Sequence, residues 1–425
     1  MVRLRIDMMR ESLSHGTPVY GSSRIPFILR RCMNQKKLQV LLIVFFSLCS
    51  LLMSNCSKKV ADVSSDVEVI YIDSKKALKE FDITDMTDTV MSIIPLETND
   101  DCLIGHIDKL EIRAGRIYIS DNMAKSIFIF DLKGNFIGKI MAFGQGPGDY
   151  TEINAMTVTD SFIVINDIRS YKQLLFSLTG KFVKESRLFK ELWMMDVFSF
   201  NDTLYYVNDF SGSGMGNYLL FSNTLYSDKI DCYLPFEKGF FGVSVNGPQY
   251  AIYKEGFSII YSGIDDVYGY CTDEEKICKK YSVKFADKRV VYRSNDVTKV
   301  FEENANGCVF GLNRIYESDQ YLFLEINVIG DGEMLCIYDK YNKETVLCNG
   351  SLIHQSFNNL FAWINGVIDN QLITWEEARI FKLRYQYTYS IEPFPDENLN
   401  VKIKNIADAM LDDDNPIIFI CNLKR

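Results

Sequence analysis

The sequence predicts an all-β fold, a β-propeller of four-stranded antiparallel blades, from an internal repeat and from its composition. Ile117–Asp121 (IYISD) matches Ile163–Asp167 (IVIND), and Phe130–Phe136 matches Phe176–Phe182, both at a shift of 46 residues. This period is close to the length of one propeller blade. Tyr, Phe, Ile and Val are abundant whereas Ala is scarce, which favours strands over helices.

Each copy of the repeat reads as a strand, a turn and a second strand. Asp121 and Asp167 stand at strand ends, where a carboxylate accepts hydrogen bonds from turn N–H groups. Gly134 and Gly180 mark hairpin turns, because glycine takes positive φ without strain. We expect weaker copies at three further pairs of segments: Leu204–Asp209 with Tyr218–Thr224, Tyr321–Glu325 with Leu335–Asp339, and Gln371–Trp375 with Ala378–Lys382.

A glycine-rich segment separates the first two copies and reads Phe143-Gly144-Gln145-Gly146-Pro147-Gly148-Asp149-Tyr150. It looks like a phosphate-binding loop, but it lacks the lysine and the Ser/Thr of a P-loop, and no helix signal follows it. We therefore interpret the segment as a structural link from the outer strand of one blade to the inner strand of the next. Its key residues are Gly144, Gly146, Pro147 and Gly148.

The N-terminal region predicts export and lipid anchoring. Lys36 and Lys37 precede an apolar run over 38–53 that is too short for a comfortable membrane span, and Cys56 follows shortly after it. This order is typical of a bacterial lipoprotein signal in which Cys56 becomes the lipidated first residue. The alternatives are a cleaved signal peptide with an incidental cysteine, or an uncleaved anchor.

The same interpretation divides the chain into four parts. Residues 33–55 are the signal peptide, residues 56–65 are a tether, and residues 66–425 are the propeller. Residues 1–32 precede a natural start at Met33, so we interpret them as a mis-assigned upstream start or a disordered segment.

The charge of the chain argues against two classes of partner. Residues 1–55 hold eight basic and two acidic residues, so the remaining chain has 38 basic and 54 acidic residues and a formal net charge of −16. An acidic protein is a poor binder of nucleic acid and of anionic lipid. We expect the lipid on Cys56, and not a basic patch, to hold the protein at the membrane.

Eight cysteines follow Cys56, in a compartment that permits disulfides. Two pairs, Cys271 with Cys278 and Cys336 with Cys348, flank candidate hairpins and are candidate disulfides. Isolated buried thiols are the alternative for each pair. The spacings do not form a zinc-binding pattern.

Several segments of the chain resemble a known family. The segment from Gly144 to Tyr150, with Phe130-Asp131 and Gly134 before it, resembles an NHL-type repeat of the kind also compared with TolB-like propellers. The following segments resemble the six-bladed β-propeller lipoproteins common in Bacteroidetes: Ile94–Thr98, Leu103–Gly105, and Asn415–Phe419 with Leu423-Lys424. The resemblance covers most of residues 66–425 and implies six blades, a lipid anchor and a largely unassigned function. It matches only loosely over 225–320.

Two lone strands suggest how the ring closes. We expect Val67–Ile72 to pair with Pro416–Cys421 in one blade, which hides both edges. Residues 399–411 have helical spacing, and we expect a small helix packed outside the second of these strands.

Catalytic signals are few. Only His106 and His354 follow Cys56, and we interpret both as structural or surface residues. Gly212–Gly216 lacks the order of a nucleophile elbow and reads as a loop. The acidic runs Asp412–Asn415 and Asp265-Asp266 lack the spaced ligands of a calcium loop. We predict no catalytic residue, no metal ligand and no cofactor.

These observations favour a lipid-anchored module in the cell envelope that binds or scaffolds a protein or glycan ligand at the propeller mouth. Ser57-Lys58-Lys59 carries no acidic run, which on the family resemblance favours the outer membrane with the protein facing the periplasm. One alternative is a metal-dependent lactonase or other hydrolase with carboxylate ligands at the channel mouth. Another is a glycan-binding component of an uptake system, in which aromatic residues of 357–363 and the acidic segment Trp375–Glu377 line a groove.

Overall fold

The structure is a computed structural model that describes residues 56–58, 67–189, 192–227, 229–237, 248–254, 256–291, 302–357 and 363–424. The predicted signal peptide and the residues before it lie outside the described residues, as does most of the predicted tether. In the part that is described, no helix is both long and apolar enough to cross a membrane.

The described chain forms a six-bladed β-propeller, as the sequence predicts. Four strands precede the first repeat: β1 (Cys56–Lys58), β2 (Glu68–Ile72), β3 (Leu78–Asp82) and β4 (Thr87–Pro95). Short 3₁₀ turns at Ser74–Lys76 and Thr84–Met86 separate β2, β3 and β4.

Blades 1 to 3 follow the repeat closely. Blade 1 comprises β5 (Lys109–Arg113), β6 (Arg116–Asp121), β7 (Ser126–Asp131) and β8 (Phe136–Ile140). Blade 2 comprises β9 (Ala155–Val158), β10 (Phe162–Asp167), β11 (Lys172–Ser177) and β12 (Phe182–Arg187). Blade 3 comprises β13 (Asp196–Phe200), β14 (Thr203–Val207), β15 (Tyr218–Thr224) and β16 (Ile230–Pro235).

Blade 5 has longer strands, and blade 4 combines two short inner strands with a long outer one. Blade 4 comprises β17 (Tyr250–Tyr253), β18 (Gly256–Ile259), β19 (Asp266–Cys271) and β20 (Lys276–Phe285), with a 3₁₀ turn at Thr272–Glu274. Blade 5 comprises β21 (Val309–Glu317), β22 (Tyr321–Val328), β23 (Gly332–Asp339) and β24 (Glu344–Ile353).

Blade 6 is built from both ends of the chain. It comprises β25 (Gly366–Ile368), β26 (Gln371–Glu376), β27 (Ile417–Leu423) and, as its outermost strand, β4. Between β26 and β27 lie α1 (Ala378–Arg384), a π-helical turn (Tyr385–Tyr389) and α2 (Glu397–Ala409).

The expected strand at Ala378–Lys382 is therefore wrong, because Ala378 and Phe381 bury one face of a helix at a spacing of three residues. The expected helix over 399–411 is confirmed, and it packs Leu399, Ile403 and Ala407 into the core beside β27.

The expected closure of the ring by Val67–Ile72 is also wrong. β27 pairs with β4, with Ile418 opposite Ile94. β4 is the fourth strand of blade 6 and faces a neighbouring blade on each side, so it buries the consecutive residues Ile93 and Ile94 on its two faces. β2 instead alternates buried and exposed side chains, as an edge strand does, and it pairs parallel with β20 at the outside of blade 4.

Each pair of neighbouring blades encloses its own hydrophobic cluster, and the six clusters complete the ring. For example, Ile117 and Phe130 of blade 1 pack against Ile418 and Ile94 of blade 6. No blade buries both of its faces alone, so each blade depends on its neighbours for stability.

The strand order defines two ends of the propeller. The links from the outer strand of one blade to the inner strand of the next lie at one end, together with the turns between second and third strands. We call this the linker end. The turns between first and second strands and between third and fourth strands lie at the other end, which we call the hairpin end.

Candidate binding face at the channel mouth

A partly buried lysine, with a side chain 20% exposed, stands at the mouth of the central channel. Lys109 is the first residue of β5 and Asp196 is the first residue of β13, so both lie at the linker end. The Lys109 Nζ donates to Asp196 Oδ1 at 2.9 Å, to the carbonyl oxygen of Met156 at 2.6 Å and to that of Val197 at 2.9 Å. These bonds use all three ammonium protons and join the inner strands of blades 1, 2 and 3.

Two more side chains complete this cluster. Glu111 Oε1 lies 3.4 Å from Lys109 Nζ, and Glu111 Oε2 accepts from the Val158 N–H at 2.8 Å. The Tyr250 hydroxyl donates to the carbonyl oxygen of Val197 at 3.4 Å, and the Tyr250 ring centroid lies 5.3 Å from Lys109 Nζ. The cluster therefore reaches the inner strand of blade 4 as well.

The protonation states follow from these contacts. Burial alone would lower the pKa of Lys109, but the negative charge of Asp196, helped by Tyr250 and Glu111, outweighs it and holds the pKa above its ordinary value. Burial raises the pKa of Glu111. The attraction to Lys109 lowers this pKa again, but it offsets the effect of burial only in part. Since Lys109 has no proton left for a ligand, we interpret the cluster as a brace across four blades.

Exposed apolar side chains surround this brace. Outside the helical connection between β26 and β27, eight large hydrophobic residues in the links and turns of the linker end are between 41% and 84% exposed: Leu103, Met123, Met141, Phe143, Trp193, Met195, Val291 and Trp363. Lys125 Nζ lies 3.6 Å from the Phe143 ring centroid and holds that ring at the surface. In the described turns of the hairpin end, the exposed large hydrophobic residues are Leu132, Tyr226 and Tyr341. The two ends of the propeller thus differ in surface chemistry.

The glycine-rich segment lies between β8 and β9, at the linker end. Its backbone groups bond to blade 2: Gly148 N–H donates to Glu185 Oε2 at 2.7 Å, and Lys172 Nζ donates to the Gly146 carbonyl at 2.7 Å. Within the segment, Asp149 Oδ2 accepts from Gly146 N–H at 2.9 Å. A Cβ at position 144 would come within 2.4 Å of Asp149 Oδ2, so a side chain there would force the Asp149 carboxylate to move.

Asp121 and Asp167 accept turn N–H groups, which confirms their predicted role. Asp121 Oδ2 accepts from the Gly105 N–H at 2.7 Å, and Oδ1 accepts from the Ala124 N–H at 2.8 Å. Each aspartate therefore ties the link that enters its own blade to the turn that leaves its strand.

The histidines and the acidic runs have structural partners. His354 is buried, stacks on Phe357 at 4.1 Å and accepts at Nδ1 from the Ser356 N–H, and burial lowers its pKa. His106 is exposed and lies 4.0 Å from Asp108.

Asp265 pairs with Arg289, Asp266 with Lys279, and Asp412 with Lys382. Over the described ranges, no three His, Cys, Asp or Glu side chains are grouped so that they could hold a metal ion.

The structure describes only part of the aromatic and acidic segments that were expected to line a groove. Phe357 is buried, Trp363 is exposed at the linker end, and Glu376 is buried with Oε1 at 2.7 Å from Arg384 Nη1. The residues between Phe357 and Trp363 lie outside the described residues.

One of the two candidate disulfides forms. Cys271 and Cys278 are bonded across the β19–β20 hairpin. Cys336 and Cys348 are free and buried, so this second pairing is wrong. In the ladder Cys336 lies opposite Leu347, which places the Cys348 side chain on the other face of the sheet.

Sequence reasoning missed the Lys109 cluster. The available signal was the alternation of charge at Lys109, Glu111 and Arg113 within a short strand. Such a pattern reads as a solvated strand face unless the ring is known to bring β5 and β13 together.

Two solved structures from Bacteroides are similar to this chain, and the first of them agrees with this fold. A crystal structure described as that of an exported protein from Bacteroides fragilis matches with a TM-score of 0.65 and 17% identity over 84% of this chain and 100% of that one. A member of the DUF4221 family from Bacteroides vulgatus matches with a TM-score of 0.46 and 12% identity over 80% of this chain and 98% of that one. No curated protein matches the sequence.

The family is settled by a match over most of the propeller. The description "Domain of unknown function (DUF4934)" applies to residues 67–422, which include β2 to β27 apart from the last residue of β27. The chain therefore belongs to the DUF4934 family.

Proposed function

We propose that this protein is a lipid-anchored binding module outside the cytoplasm, and that its linker end docks a protein partner. The observation that carries the proposal is the concentration of exposed apolar side chains at that end. Exposed apolar surface of this kind is typical of protein interaction sites. Aromatic residues and methionine are enriched in interfaces, and Trp193, Trp363, Phe143 and Met123 belong to these types.

The direction of the N-terminal strands supports a protein occupant over a membrane. β1 runs parallel to β16 with Cys56 opposite Ile230, the first residue of β16, and that residue lies at the hairpin end. β2 and β3 likewise run from the hairpin end towards the linker end. A lipid on Cys56 would therefore hold the hairpin end near the membrane and leave the linker end facing away from it.

Charge supports the same choice. The chain from residue 56 onward carries a formal net charge of −16, and such a body is repelled by anionic lipid. The similarity to an exported Bacteroides protein agrees with a location outside the cytoplasm.

Site-specific photo-crosslinking in intact cells tests the proposal. A photoreactive phenylalanine analogue replaces Met123 or Trp363 at the linker end, and Tyr226 or Tyr341 at the hairpin end serves as the matched exposed control. We expect Met123 and Trp363 to give an adduct with the same protein, and Trp193→Ser to reduce that adduct strongly. Equal adducts from both ends, or none from the linker end, would contradict the proposal.

A further inference from the structure

A cleft of about 370 Å³ lies between blades 3 and 4 towards the hairpin end, far from the apolar surface described above. Strands β14, β15 and β16 form one wall, and the β19–β20 hairpin forms the other. Its volume falls within the range of small-molecule pockets. It is separate from the linker end, so it is a second site and does not depend on the proposed protein docking.

Three tyrosines and two carboxylates line the cleft. They are Tyr205, Tyr233 and Tyr270, with Asp231 and, in the opposite wall, Glu275. Tyr205 is only 7% exposed, and within the described chain its hydroxyl has no hydrogen-bond partner. The Tyr233 hydroxyl lies 3.2 Å from the Ser222 hydroxyl. Tyr205 lines the cleft, so its hydroxyl is open to a hydrogen bond from water or from a ligand there.

The phenols remain protonated donors. Burial, together with the nearby groups of Tyr233, Tyr270 and Asp231, raises the pKa of Tyr205 well above its ordinary value. The Tyr205 ring is held from behind, because it stacks on Phe198 at 5.1 Å and meets Phe257 at 4.7 Å between ring centroids. The donor is therefore fixed in direction before any ligand arrives.

The opposite wall is also rigid. The Cys271–Cys278 disulfide cross-links β19 and β20 on either side of the turn that presents Glu275 and Lys276 to the cleft. Glu275 takes a left-handed conformation with φ of 49°. A cleft with two fixed walls loses little conformational entropy on binding.

The charges in the cleft balance each other. Lys229 Nζ lies 3.3 Å from Asp231 Oδ1, and Lys276 Nζ lies 3.1 Å from Glu274 Oε2. A strongly charged ligand would meet no excess of opposite charge. Phenols, hydroxyls and a carboxylate are instead the donors and acceptors that match a ligand with many hydroxyl groups, and aromatic rings pack against its C–H faces.

We infer that the cleft between blades 3 and 4 binds a neutral saccharide through Tyr205, Tyr233, Tyr270 and Asp231. Asp231 accepts from sugar hydroxyls, Tyr205 donates to a sugar oxygen, and the partly exposed Tyr270 ring covers one face of the sugar. This site goes beyond the proposed function, because a protein docked at the linker end leaves it open.

Saturation-transfer NMR and calorimetry on the protein from residue 56 onward test the inference. The probes are maltotriose, cellotriose, xylotriose and mannotriose, with trigalacturonic acid as the charged comparison. We expect saturable binding of at least one neutral trisaccharide and weaker binding of the acidic one. Tyr205→Phe removes a single hydroxyl and should weaken binding about tenfold, the effect of one hydrogen bond.

The matched control is Tyr341→Phe, which removes a phenol hydroxyl from the same end of the propeller but outside the cleft. It should bind like the unaltered protein, and near-ultraviolet circular dichroism establishes that both variants fold. Asp231→Asn should weaken binding further than Tyr205→Phe. The inference is overturned if none of the neutral probes binds saturably, or if Tyr205→Phe and Tyr341→Phe bind equally well.

Discussion

At the scale of single residues, buried aspartates organise the first two blades. Asp167 is fully buried, and its Oδ2 accepts from the Thr151 N–H at 2.6 Å and from the Thr151 hydroxyl at 2.9 Å. Its Oδ1 accepts from the Ser170 N–H at 3.0 Å. Burial alone would raise the pKa of Asp167, but the bonds from Ser170 and Thr151 outweigh it and lower the pKa.

We predict that Asp167→Ala lowers the free energy of unfolding by about 3 kcal/mol, because it leaves buried N–H groups without an acceptor. Urea unfolding at pH 7 measures this loss. Asp160→Ala is the control: Asp160 is 76% exposed and pairs with Arg113, so its loss should cost less than about 1 kcal/mol. Similar losses for the two variants would contradict the assigned role.

The pH dependence of this contribution has a definite sign. The folded pKa of Asp167 lies below its ordinary value of 3.8, so the stabilisation is fully present above that pH and is lost as the pH falls through the folded value. Asp167→Asn cannot ionise. The stability difference between the unaltered protein and Asp167→Asn should therefore shrink as the pH is lowered below 3.8.

Residue-scale reasoning from sequence succeeded where a contact is local. Asp121 and Asp167 bond within 16 residues of their own positions, so strand ends and turn signals were sufficient to predict them. Lys109 and Asp196 lie 87 residues apart, and only the closed ring brings them together. The Tyr205 cleft was missed for the same reason, since its walls belong to two blades.

At the scale of elements, the N-terminal strands form a strap around the outside of the propeller. β2 adds a parallel strand to blade 4 and β3 adds one to blade 5, so both cover edges that would otherwise be open to aggregation. Ile70 and Ile72 of β2 enter the core between these blades. β3 approaches so closely that a Cβ at position 350 would lie 1.8 Å from the carbonyl oxygen of Lys79.

We predict that Gly350→Ala displaces β3 from β24, because the added methyl group cannot share space with the backbone of β3. Overpacking of this kind costs about 1–3 kcal/mol. Urea unfolding measures the loss, and limited trypsin digestion should show faster cleavage after Lys79.

Gly366→Ala is the control for the strap. Gly366 lies in β25, and an added Cβ there would meet Ile373 at an ordinary 3.9 Å. Unchanged trypsin cleavage after Lys79 in Gly350→Ala would show that β3 tolerates the methyl group, against the prediction.

At the scale of the whole molecule, sequence predicted the ring but not its closure. The repeat and the family resemblance were sufficient for the six blades. Apolar content alone could not decide whether β27 pairs with β4 or with β2, because β2 and β4 are both apolar and both precede the first repeat. The deciding feature is two-sided burial: Ile93 enters the cluster between blades 5 and 6, and Ile94 enters the cluster between blades 6 and 1.

Because β4 closes the ring, we predict that two N-terminal truncations, one that keeps β4 and one that removes it, differ sharply in stability. A chain that starts at Ile83 loses the strap but keeps β4, and we expect it to unfold in one cooperative transition with lowered stability and more aggregation. A chain that starts at Leu96 also loses Met91, Ile93 and Ile94 from two blade interfaces. Each buried residue of this size is worth about 2–5 kcal/mol, and their sum reaches the whole stability of a typical domain of about 5–15 kcal/mol.

The chain that starts at Leu96 should therefore fail to form a stable monomer, as judged by size-exclusion chromatography and circular dichroism. A synthetic peptide of residues 83–95 should restore its folding, because it supplies the missing fourth strand of blade 6. Equal unfolding midpoints for the two truncations would show that β4 does not close the ring.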